Sequence, residues 1–62
     1  NIYAYQNVIV VENADAEIYV YDAMGRLVER NIGNNSRTEI RMNNAGVYIV
    51  KVGNTAKRVM VK

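Results

Sequence analysis

Sixty-two residues make one small domain and leave no room for a second. Half of the residues are apolar, and eight Lys or Arg against six Asp or Glu leave a net charge of only +2, which excludes a disordered tail and a polybasic arm. The chain has no His, Cys, Trp, Phe or Pro, so thiol chemistry, imidazole acid–base chemistry, disulfides and the usual zinc ligands go together. No apolar run approaches the roughly 18 residues of a membrane-spanning helix or the about 7–15 of a signal-peptide core. Direct membrane insertion is not expected, and a first residue that is Asn1 rather than Met reads as a single domain, 1–62, excised from a longer polypeptide.

Ten Val and six Ile against a single Leu, with five Tyr, favour a pleated surface over a helix. In chain order, strands are expected at 2–5 (the weakest), 8–11, 17–21, 27–30, 38–42, 47–52 and 57–61. Asp22-Ala23-Met24-Gly25 has the chemistry of a type I turn, Asp22 accepting from the backbone two residues on and Gly25 supplying positive φ. Gly53-Asn54 suits a two-residue primed hairpin turn. Polar breaks at 13–16, 33–36 and 43–45 complete a turn spacing typical of an antiparallel sandwich or barrel. Parity puts Ile18, Val20, Tyr48, Val50, Val52, Val59 and Val61 inward, and Tyr19, Val47, Ile49 and Lys51 outward. Thr38, Ile40 and Met42 share a further inward face. The fold expected from the residues is all-β, with six to seven short strands.

Little chemistry accompanies that fold. The single serine, Ser36, has no histidine to take its proton, and no catalytic residue is expected. The acids fall at turns or on outer faces, and the pair Asp15 and Glu17 is too sparse for a hard cation, so no metal and no cofactor are expected. The glycines stand one per turn and form no phosphate-binding loop. Asn34-Asn35-Ser36 matches an N-glycosylation sequon, a pattern common by chance. Tyr19 and Tyr21 could stack bases, but cross-strand tyrosines are ordinary sheet packing, and no nucleic-acid partner is expected.

Charge placement says more than net charge. All six acids and three bases lie at or before Glu39, whereas Arg41, Lys51, Lys57, Arg58 and Lys62 follow with no acid among them. Such a stretch is either a docking face for an anionic partner or a set of charges that deters sheet aggregation.

Taken together, Ile18-Tyr19-Val20-Tyr21-Asp22-Ala23-Met24-Gly25-Arg26-Leu27-Val28, then Asn43-Asn44-Ala45-Gly46-Val47-Tyr48-Ile49-Val50-Lys51-Val52, then the ending Lys57-Arg58-Val59-Met60-Val61-Lys62 resemble the C-terminal sorting domain of the Bacteroidetes type IX secretion system. Gly25 matches that family's turn glycine, Gly46 and Tyr48 its glycine-x-tyrosine, and Lys57, Val59, Val61 and Lys62 its basic and apolar terminus. The family's opening proline-asparagine-proline is missing. The resemblance implies a small immunoglobulin-like antiparallel β-sandwich and a non-enzymatic signal. It also implies passage through the periplasm to the outer-membrane surface or the medium, with the translocon and a sortase as partners. A surface accessory or adhesive module of the same fold, binding protein or glycan, is the alternative. The expected recognition surface is the last strand, read by edge addition, its valines gripping and its lysines orienting. Gly46, Tyr48, Lys51, Lys57, Arg58, Val59, Val61 and Lys62 are its candidate residues, and Asp22, Gly25, Gly53 and Asn54 are structural turns. Open sheet edges also allow a homodimer.

Overall fold

The computed structural model describes residues 1–33 and 36–62; the break at 33–36 falls partly, and the sequon largely, outside the described residues. Seven strands are present: β1 (Ile2–Tyr5), β2 (Val8–Glu12), β3 (Glu17–Asp22), β4 (Leu27–Ile32), β5 (Arg37–Arg41), β6 (Gly46–Val52) and β7 (Thr55–Val61). They build a three-stranded sheet, β1-β2-β5, against a four-stranded sheet, β4-β3-β6-β7. The chain changes sheet after β2, β4 and β5, giving the crossed connections of an immunoglobulin-like sandwich.

Period 2 decides what is buried. Ile18, Val20 and Val50, all at 0% exposure, line the inner face of the four-stranded sheet and meet Ile9, Val11 and Ile40 from the other. Each such side chain contributes about 1.5–3 kcal/mol by leaving water. Met42 leaves the β5 ladder, yet its side chain stays in the core and its N–H donates to the Asn7 carbonyl at 2.8 Å.

The turns set the register. At Asp22, Oδ1 accepts from the N–H groups of Met24 (2.9 Å) and Arg26 (3.0 Å), while Gly25, at φ 86°, donates to the Asp22 carbonyl. Gly53 takes φ 58° as the first of two central residues, so Val52 pairs directly with Thr55 and β7 starts two residues before the expected 57. β4 likewise runs on to Ile32 because Ile32 pairs with Glu17.

Candidate functional site

The last strand is an edge. β7 pairs with β6 on one side only, Val59 opposite Tyr48 and Arg58 opposite Ile49. In an antiparallel ladder, alternate residues turn their amides away from the neighbour. The Lys62 N–H shows that direction directly by donating outward to the Gln6 carbonyl, just past β1, at 3.0 Å. Ala56, Arg58 and Met60 share its parity, so their N–H and C=O groups point away from β6. β1 lies beside this edge and is tied to it at the Gln6–Lys62 end; at the other end the two strands part over an open cleft. That cleft of 370 Å³ has Ile2, Val11, Ala14 and Val52 as its apolar lining and Lys57 and Thr55 on one lip.

The candidate residues separate into three groups. Tyr48, Val59 and Val61 are buried (7%, 7% and 2%) and hold the two sheets together, so the folded surface along β7 consists of its backbone edge and outward side chains rather than of these three. Tyr48 also donates its hydroxyl to the Asn44 carbonyl at 2.7 Å, four residues upstream, as tyrosine corners do in such sandwiches. Gly46 opens β6 at φ 150° beside that corner, which gives the glycine-x-tyrosine pattern an architectural reason.

The basic residues do not form one face. Lys51 and Arg58 lie together on the outer face of the four-stranded sheet; Lys57 has the opposite parity, at the cleft; Lys62 sits at the latch to Gln6. Arg41 is on the other sheet, opposite Val8. Among the described residues, no three Asp or Glu gather where a metal could be held.

Sequence reasoning missed the Glu17 cluster on the outer face. Glu17 accepts from the Tyr19 hydroxyl at 2.6 Å and from Arg30 Nη2 at 2.7 Å. The Tyr19 hydrogen bond, then that of Arg30, holds the Glu17 carboxyl below the usual range and correspondingly raises Tyr19. Asp22 is lowered as well, first by the Arg26 amide and then by that of Met24. A carboxylate depressed in the folded chain stabilises it above the unfolded carboxylate pKa, and that stabilisation is lost as pH falls through the folded value. Melting curves from about pH 7 down to about pH 2 are therefore expected to show Tm falling in acid, with a shallower fall in a Glu17→Gln, Asp22→Asn double variant. An equally steep fall in that variant would place the acid sensitivity elsewhere.

Comparison with known families gives a match to the secretion system C-terminal sorting domain over residues 4–62. No curated protein and no solved structure matches the chain.

Proposed function

The chain belongs to the family of secretion system C-terminal sorting domains, and from that membership we propose that its folded surface is the signal itself, read at the β7 edge by the type IX translocon. The family is not catalytic, and its members mark proteins for the outer-membrane surface or the medium. In this reading the cargo crosses the periplasm with the domain folded, and a sortase later removes the domain or attaches the cargo in its place.

The observation that carries the reading is that β7 is an edge strand whose Ala56, Arg58 and Met60 amides face away from its own sheet. A partner strand entering at the cleft, where β1 and β7 part, can add to that edge by main-chain hydrogen bonds. Lys57 and Arg58 then lie on its two faces and orient it, while Val59 and Val61 keep the edge stiff from the core side. The same two cations repel the β7 of a second copy, which disfavours a homodimer through this edge.

The direct test is to fuse residues 1–62 to the C-terminus of a passenger carrying a signal peptide, in a host with this secretion system. The passenger is expected outside the cell. A folded fusion that stays in the periplasm would contradict the proposal and leave the accessory-module reading in its place.

A further inference from the structure

The outer face of the four-stranded sheet is covered by no described element, because the second sheet packs on the opposite side. Tyr21 pairs with Ile49, which in turn faces Arg58; Val47 faces Met60; and Lys51 stands one step along β6 on the same face. The centre is thus apolar, with Val47, Ile49 and Tyr21 half-buried, Leu27 beside Tyr21 52% exposed and Met60 67% exposed. Its charges are unbalanced. Glu17 is already engaged by Arg30 and Tyr19, whereas neither Lys51 nor Arg58 has an ion pair among the described residues.

We infer that this face is a second docking surface, and that its occupant is a protein surface setting carboxylates around apolar side chains. Charge decides among occupants. A second copy laid face to face would bring its own Lys51 and Arg58 against these two, four like charges in one drying interface. A polyanionic strand wants a dense row of cations, and two cations flanking an apolar centre supply none. An apolar middle with cations beside it is the complement of an apolar patch rimmed by Asp and Glu. The surface is distinct from the β7 edge: Ile49 and Lys51 belong to the interior strand β6, out of reach of a strand added beyond β7.

Where the occupant is part of the export machinery, the inference rests on the sorting reading, so the test has two arms. In the fusion assay, Ile49→Thr with Lys51→Glu is expected to cut passenger export about tenfold or more while Tm stays close to the parent's. In vitro, a peptide of alternating Glu and Leu is expected to shift the NMR signals of Tyr21, Ile49 and Met60, and a Lys–Leu peptide is expected not to. Loss of sorting by the parent fusion overturns the sorting reading alone, since the peptide arm still decides the face. Parental export by a folded double variant, or peptide shifts absent from these three residues, overturns the inference. Co-sedimentation with phosphatidylglycerol vesicles that Lys51→Glu abolishes would also overturn it, by assigning the face to lipid.

Discussion

Gly33→Ala is expected to destabilise the domain by about 3 kcal/mol or more, a large share of the roughly 3–9 kcal/mol that a chain of this length holds. A Cβ at Gly33 would lie 2.5 Å from the Ala14 carbonyl oxygen, 2.6 Å from that of Ala16 and 2.7 Å from the Ala14 Cβ. Two of those atoms are backbone, so no rotamer change relieves the overlap. The Gly33 N–H also donates to the Ala16 carbonyl at 3.1 Å, so moving away to make room gives up that bond at the end of the β3–β4 ladder. Urea unfolding followed by far-UV circular dichroism measures the effect; a variant within about 0.5 kcal/mol of the parent would mean that this close approach does not exist in solution.

Ile18→Ala is expected to cost about 2–5 kcal/mol, enough to leave a substantial unfolded fraction at room temperature. Ile18 is fully enclosed at the middle of the inner face, on a strand paired on both sides. The lost methyl and methylene groups leave a void that flanking strands cannot close without shifting both ladders. Leu27→Ala makes the contrast. Leu27 is the chain's single leucine, yet it lies 52% exposed on the edge strand β4, and its truncation is expected to change stability by less than about 0.5 kcal/mol. Comparable losses at the two positions would contradict the packing described.

The contrast between Ile18 and Leu27 also marks what can be read from a sequence like this one. Parity alone places Ile18, Val20, Tyr48, Val50, Val59 and Val61 inside, because alternation is a local property and each of these strands has one wet face. Asp22 and Gly25 are legible for the same reason: their turn chemistry is complete within five residues. What escapes is non-local. Ile9, Val10 and Val11 are buried in succession, which alternation forbids on one face; Val10 is on the outer side of the three-stranded sheet, opposite Tyr3 and Glu39 and outside the core. The Gln6-Asn7 turn carries no glycine, and Gln6 takes φ 54° all the same, so nothing in composition marks it. Gly33 reads as one more polar break until the Ala14–Ala16 segment is brought against it.

The candidate site was legible in part and for a related reason. A run of five bases without an acid is visible in one dimension, but whether the side chains meet depends on pairing. Register brings Lys51 and Arg58 together, and strand parity sends Lys57 to the opposite side. Valines in a terminal strand invite the idea of a grip, whereas the same alternation that exposes Arg58 commits Val59 and Val61 to the interior. In the proposed reading, recognition of β7 therefore rests on its backbone edge, with Lys57 and Arg58 orienting the partner, and the backbone part is the most open to direct attack.

Ala56→Pro attacks it without touching charge or core. Proline removes an amide that points away from β6, so no ladder bond is lost, and the position lies beside Thr55 and Lys57 on the lip of the open cleft. Ala56→Ser is the matched control that keeps the amide. With both fusions shown to be folded by circular dichroism, export of the passenger is the measurement: the serine variant is expected to export like the parent and the proline variant to lose export about tenfold or more. Equal export by the two would show that the β7 edge is not where the signal is read.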